Sequence, residues 1–154
     1  MLYTDLTKDA MNLAYDMHEG VYDKAGLPYI FHPYHLAEQM GDDEYAIVVA
    51  LLHDVVEDTD MTFEELEDYG YPEPVITALK LLTINETNKN DYLGSYIHNI
   101  KKNELAKKVK LADLQHNMDA TRLLPPVSKA EELWTEARMK KYQTAIDILE
   151  GKLD

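Results

Sequence analysis

One run of the chain constrains the fold more than any other. Residues 46–52, Ala-Ile-Val-Val-Ala-Leu-Leu, are unbroken apolar, and Val55 and Val56 extend the run. As a helix this segment is apolar nearly all round, which predicts a buried central helix. Its C-terminal turn then carries His53, Asp54, Glu57 and Asp58. The helix dipole places partial negative charge at that end, and unpaired buried carboxylates are costly. A positive group is needed at this corner, and a divalent cation is the economical one. The pairs 54/57, 54/58 and 53/57 are helical neighbours three or four residues apart, which would gather these side chains together.

Seven further segments read as helices, punctuated by caps, Gly and Pro. Thr4 or Asp5 caps a helix to about Glu19, and residues 20–28 form a loop. A helix starts near His32-Pro33, with Pro in its first turn, and stops at Gly41. Asp42 or Asp43 caps the central helix. Thr62 to Glu65 is a capping box opening a short helix that ends at Gly70. Pro72 to about Thr83 forms the next. Asn90 or Asp91 starts one that ends near Lys101, Asn103 caps one through Met118, and Ser128 to Leu149 is the last and longest. Strand-like alternation appears nowhere, so the expected class is all-α, a single compact bundle of about eight helices.

Composition narrows the function classes. At 154 residues the chain is expected to be one domain, residues 1–154, with a real core. No apolar run is long enough to span a membrane, and the N-terminus lacks the pattern of a signal peptide. The cytoplasm is therefore the expected location. With no cysteine, metal ligands must come from His, Asp and Glu, a donor set that suits Mn, Fe or Mg better than structural zinc. A net charge of −14 disfavours a nucleic-acid polymer as partner. A small phosphorylated substrate remains compatible, because its phosphates would meet a local cation and a few Lys or Arg.

Several polar residues fall on apolar faces. The segment 105–118 puts Ala106, Val109, Asp113 and Asn117 on one strip with His116 beside it, while Lys107, Lys108 and Lys110 are expected to point elsewhere. Asp113 is either a ligand or a capping or paired carboxylate. His32 and His35 are one turn apart, and one ligand from this pair suffices. On the last helix Leu133, Trp134, Ala137, Tyr142, Ala145, Ile146 and Leu149 form a broad apolar face. Arg138 lies between Trp134 and Tyr142, either as a snorkelling arginine or as an anion-binding residue with an aromatic flank. His18 and His98 read as ordinary helix-surface histidines.

Three segments taken together, Gly26-Leu-Pro-Tyr-Ile-Phe-His32-Pro, Ala50-Leu-Leu-His53-Asp54-Val-Val-Glu57-Asp58 and Val109-Lys-Leu-Ala-Asp113-Leu-Gln-His-Asn117, carry a specific resemblance. The chain resembles the HD superfamily of metal-dependent phosphohydrolases, and within it the hydrolase domain of RelA/SpoT homologues and the stand-alone small alarmone hydrolases. The likeness extends over about residues 10–145. It implies a helical HD-type domain with one divalent metal, most often Mn2+, with Fe2+, Mg2+ or Zn2+ compatible. His32, His53, Asp54 and Asp113 match the metal ligands. Glu57 and Asp58 match the acidic pair that orients or deprotonates the attacking water. Lys24 matches a phosphate-side lysine, Asn117 a nucleotide-contacting asparagine, and Arg138 and Tyr142 fall where stand-alone members place substrate contacts. The implied activity is hydrolysis of a phosphorylated nucleotide, with the 3′-pyrophosphate of (p)ppGpp the leading substrate. The chain departs from the family where Arg-Lys-Ser-Gly becomes Asp23-Lys24-Ala25-Gly26, which removes the arginine that stacks on guanine. Ala-Asp-Arg-Leu-His-Asn likewise becomes Ala112-Asp113-Leu114-Gln115-His116-Asn117.

Three other functions compete: a phosphatase for another nucleotide or dinucleotide such as NADPH, a non-catalytic module that keeps the metal site, and a di-metal oxygenase. The oxygenase would want extra inward histidines, for which only His35 and His116 are spare. Retention of both Glu57 and Asp58 counts against the non-catalytic module.

Overall fold

The computed structural model describes residues 1–154, and every regular element in it is helical. Nine α-helices follow in order: α1 (Asp5–Met17), α2 (Phe31–Glu38), α3 (Glu44–Leu52), α4 (Val55–Asp58), α5 (Phe63–Asp68), α6 (Glu73–Leu82), α7 (His98–Lys101), α8 (Glu104–Asn117) and α9 (Lys129–Leu149). A π-helical turn, Tyr92–Ile97, runs straight into α7, and a 3-10 turn, Ala120–Arg122, follows α8. The only pairing of β type is an isolated bridge between Tyr22 and Pro28 in the loop before α2. No helix is long and apolar enough to cross a membrane.

The local signals act where the sequence puts them. Thr4, Asp43, Thr62, Asp91, Asn103 and Ser128 each accept a hydrogen bond from a backbone N–H in the first turn they open, satisfying donors that a helix start leaves orphaned. Thr62 and Glu65 complete a reciprocal capping box. Residues 46–52 are all buried, and α3 packs against α1, α2, α6 and α8 at the centre of the bundle. Thirty-one buried apolar residues form one core cluster.

Two expectations about helices are corrected. The central helix does not continue through Asp58. It stops at His53, and Asp54, with φ −106° and ψ −1°, starts the separate short helix α4. The histidine and the first carboxylate therefore sit at a junction between helices, not on one continuous turn. The last helix is only half embedded: Ala145, Ile146, Ile148 and Leu149 are buried, but Leu133 and Trp134 are more than half exposed and Ala137 is exposed as well. Its first three turns instead border a cleft.

Candidate active site

That cleft has a volume of about 1250 Å³ and opens where α4, α8, the first half of α9 and the loop after α1 meet. His32, His53, Asp54 and Asp113 all lie in its wall. His32 comes from the first turn of α2, His53 and Asp54 from the α3–α4 junction, and Asp113 from the middle of α8. One ligand atom from each of His32, His53 and Asp54 lies within 4.8 Å of the others. Asp113 joins them, with Oδ1 2.9 Å from His32 Nε2 and 3.6 Å from His53 Nε2.

The tautomers follow from the partners. His53 Nδ1 is 2.7 Å from the carbonyl oxygen of Ala50, which can only accept, so Nδ1 carries a proton. In the neutral ring Nε2 is then a lone pair. It faces Asp54 Oδ2 at 3.0 Å and Asp113 Oδ1 at 3.6 Å, neither aligned as a hydrogen bond, so it is a buried nitrogen without a partner. A lone pair aimed at two carboxylates requires a positive charge between them, either a proton or a metal ion. Burial alone would lower the His53 pKa, yet Asp54 and Asp113 overcome it and hold the metal-free ring protonated well above its ordinary range. Burial likewise opposes ionisation of Asp54 and Asp113, and the facing cations reverse it: His53 lowers Asp54, while Lys110 and the two histidines hold Asp113 well below the usual carboxylate range. Two imidazole nitrogens and two carboxylates converging on one point fit a divalent cation with open coordination positions.

A second layer fixes these side chains. His32 Nδ1 is 2.7 Å from His116 Nδ1, and the two rings are parallel within 5°. Burial, Arg122 and His32 lower the His116 pKa to about 4, so His116 is neutral and its Nδ1 can accept the His32 proton. This leaves His32 Nε2 free for a ligand role. His116 thus supports the cluster from behind, and exposed His35 stacks on its far face with centroids 4.0 Å apart. Tyr29, its pKa raised by burial and by Asp54, donates its hydroxyl hydrogen to Asp54 Oδ2. Asp113 Oδ1 accepts from Asn117 Nδ2 at 3.1 Å, and Oδ2 accepts from Lys110 Nζ at 2.8 Å.

Lys110 is a correction: it does not point away with Lys107 and Lys108 but inward, its side chain 12% exposed. Tyr92 and Tyr96 from the π-helical turn lie 5.9 and 5.3 Å from its ammonium. Burial would lower its pKa, but Asp113 and the tyrosines raise it well above the ordinary value. Asn117 lines the cleft, with its amide Nδ2 donating to Asp113. His18, expected on the surface, is 3% exposed and lines the cleft.

Glu57 and Asp58 reach the same cleft from α4. Glu57 Oε1 accepts from the Ile84 N–H at 2.9 Å, which leaves Oε2 free. Partial burial, Asp54 and Glu57 push the Asp58 carboxyl up to about 6. At the mouth, Lys24 Nζ lies 5.2 Å from the Trp134 ring centre and the Arg138 guanidinium 5.0 Å from it. Tyr142 is not part of the lining; its hydroxyl accepts from Arg138 Nε at 2.8 Å and so steadies the guanidinium. Arg122 is a lining residue that sequence reasoning missed. It lies beyond the end of α8, donates to the His116 carbonyl at 2.8 Å, and falls on no helical strip. Asp23 Oδ1 accepts from the N–H groups of Ala25 and Leu27 at 2.9 and 3.0 Å, so this carboxylate shapes the loop that carries Lys24. Gly26, at φ +90°, permits that turn.

An all-helical bundle that gathers two histidines and two aspartates at the end of its central helix has the architecture of the HD class. No family model matches the chain. It is 34% identical to a guanosine-3′,5′-bis(diphosphate) 3′-pyrophosphohydrolase, MESH1, of Xenopus tropicalis, over 97% of this chain and 91% of the relative. It is 34% identical over 127 residues to a probable enzyme of the same description from Synechocystis. The fold matches a solved structure described as a metazoan orthologue of SpoT that hydrolyses ppGpp and plays a role in starvation responses, with a TM-score of 0.74, 24% identity, and coverage of 99% of this chain and 97% of that one. The chain belongs to the RelA/SpoT-related family of HD-type hydrolase domains. It spans 17% of the length of the Synechocystis relative and 15–17% of two further curated relatives.

Proposed function

We propose that the protein is a metal-dependent phosphohydrolase that removes the 3′-pyrophosphate of a (p)ppGpp-like nucleotide. The observation that carries this reading is His53 Nε2, a buried nitrogen without a hydrogen-bond partner that faces Asp54 and Asp113, next to two more carboxylates on the same cleft. His32, His53, Asp54 and Asp113 would hold the ion. Mn2+ is the first choice because the donors are imidazoles and carboxylates without thiolate. When bound, such an ion polarises a phosphate oxygen and makes nearby water more acidic.

The rest falls to the chain. Glu57 Oε2 is the free acceptor for the proton of the attacking water. Asp58, titrating near 6, is the second acceptor or passes the proton to solvent. Lys24 and Arg138, at the mouth, oppose the charge of the phosphates. Asn117 contributes through Asp113, whose carboxylate it helps orient. The likeness to guanosine-3′,5′-bis(diphosphate) 3′-pyrophosphohydrolases supports this assignment.

One observation favours a second reading, a broader nucleotide phosphatase that also takes a substrate such as NADPH. Position 23 offers no cation to stack on guanine, and its carboxylate is occupied within its own loop. Exposed Tyr22, which lines the same wall, offers a flat face that accepts any base. The experiment is to incubate Mn2+-loaded protein with (p)ppGpp, its adenine analogue and NADPH and to identify the products. Release of pyrophosphate from the first at the highest kcat/KM supports the main reading. Comparable rates for all three support the second, and no hydrolysis of any rejects both.

A further inference from the structure

The histidine that ends α1 bonds to none of the metal-ligand or acidic residues of the site. His18 is 3% exposed, and neither Nδ1 nor Nε2 has a hydrogen-bond partner. An imidazole always carries at least one N–H, so at least one buried donor is orphaned. That is expensive, because a buried donor without a partner forfeits its hydration and gains nothing in return. Phenylalanine or leucine would fill the same space without that cost.

The surroundings indicate what kind of partner is missing. His18 lies in the wall of the cleft. Its ring centre is 4.9 Å from that of Tyr29, and Tyr29 in turn is 5.8 Å from His32 and bonded to Asp54. One aromatic ring thus separates His18 from the metal-ligand cluster. Its carbonyl accepts the Val21 N–H at 3.1 Å, which anchors the loop that presents Lys24. Burial lowers the ring's pKa against the pull of Asp54 and keeps it neutral. A neutral N–H beside a cation site and a lysine loop is suited to the oxygen of a phosphate chain, not to a base held out at the mouth.

We propose that His18 is a substrate-binding residue, a buried imidazole donor to an oxygen of the substrate's diphosphate group. This rests on the phosphohydrolase reading of the cleft for the identity of the substrate, but its test uses inorganic pyrophosphate as the probe. Both ring nitrogens are out of reach of solvent in the free protein, so substrate entry must shift the ring or Tyr29 against it, and binding then pairs a donor that the free protein leaves unpaired. A charged acceptor makes the gained bond a strong one.

The test compares the parent with His18→Phe, His18→Leu and His18→Asn, which keeps a donor. Pyrophosphate dissociation constants are measured at fixed free Mn2+, together with the Mn2+ affinity and the Tm of the metal-free proteins. The expected result is pyrophosphate binding weakened about tenfold or more in the two apolar variants, less in His18→Asn. Mn2+ affinity should be unchanged, and the Tm equal to or above that of the parent. With a substrate that the parent hydrolyses, KM should rise more than kcat falls. Parent-like pyrophosphate binding by an apolar variant that folds overturns the proposal. So does a lowered Tm with lost Mn2+ affinity, failure of both apolar variants to fold, or a parent that binds no pyrophosphate. If the parent hydrolyses no nucleotide while pyrophosphate binding still depends on His18, the proposed function fails and the assignment of His18 stands.

Discussion

The floor and the mouth of the cleft are built in opposite ways. At the floor, His32, His53 and Asp113 are buried, and each is tied to a second residue: His116, the Ala50 carbonyl, and Lys110 with Asn117. At the mouth, Tyr22, Lys24 and Trp134 are exposed, and Lys24 and Arg138 meet the Trp134 ring only as cation–ring approaches of about 5 Å. Buried, hydrogen-bonded groups hold one geometry, because any alternative leaves a charge unpaired. Exposed side chains keep their rotamers and adapt. The floor therefore defines a reaction, and the mouth defines how selectively a substrate is chosen. Substitutions at the two levels should fail in different ways.

The largest effect is expected at the floor. Asp54→Ala should abolish stoichiometric Mn2+ binding and lower kcat/KM by about 10³-fold or more, as read by metal analysis and steady-state kinetics. Retained metal with retained turnover would mean that the cluster is not the reacting centre. Glu57→Gln should separate holding from reacting, with Mn2+ still bound and kcat down by roughly 10²-fold. Parent-like turnover would move the proton acceptor to Asp58.

At the mouth the effect should shift to binding. Arg138→Ala is expected to raise KM about tenfold with a smaller change in kcat. A loss confined to kcat would place Arg138 with the floor. The smallest effect concerns stability at Asp58. Its folded pKa, about 6, lies above the ordinary value of 3.8, so between about pH 4 and 6 the folded protein binds more protons than the unfolded chain. Stability of the metal-free protein should therefore fall as pH rises through that window, because partial burial, and then the charges of Asp54 and Glu57, disfavour the ionised Asp58. Asp58→Asn should raise the Tm slightly at pH 7, with the difference gone below about pH 4. A Tm lowered by the substitution at pH 7 would show that ionised Asp58 has a stabilising partner.

The floor was also the more legible level. Unbroken apolarity over 46–52 marked the centre of the bundle, and the Thr, Asp, Asn and Ser caps marked the helix starts, because both signals are local and physical. The ligand candidates stood out because carboxylates and histidines are out of place on buried faces. What the sequence did not reveal depends on neighbours from elsewhere in the chain. Lys110 looked outward on a helical wheel, which places Cα atoms and ignores how a long side chain curls toward a buried carboxylate three residues on. His18 looked ordinary because the loop that follows it is visible in the sequence but its return over the ring, with Tyr29, is not. Leu133 and Trp134 read as part of one broad apolar face with Ile146 and Leu149, because apolar periodicity identifies a face and not what covers it. The break at Asp54 arises from packing at the junction of α3 and α4, which no strong helix breaker marks.

The central claim is that one divalent ion sits between two imidazoles and two carboxylates at the floor. Pulsed electron paramagnetic resonance on protein loaded with one equivalent of Mn2+ reads this directly through couplings to imidazole nitrogen. Two coupled nitrogens are expected in the parent, one in His53→Gln, and two in His35→Gln, whose ring stacks on His116 outside the cluster. A parent spectrum without imidazole nitrogen, or one that loses a nitrogen on substitution of His35 and none on substitution of His53, would contradict the account.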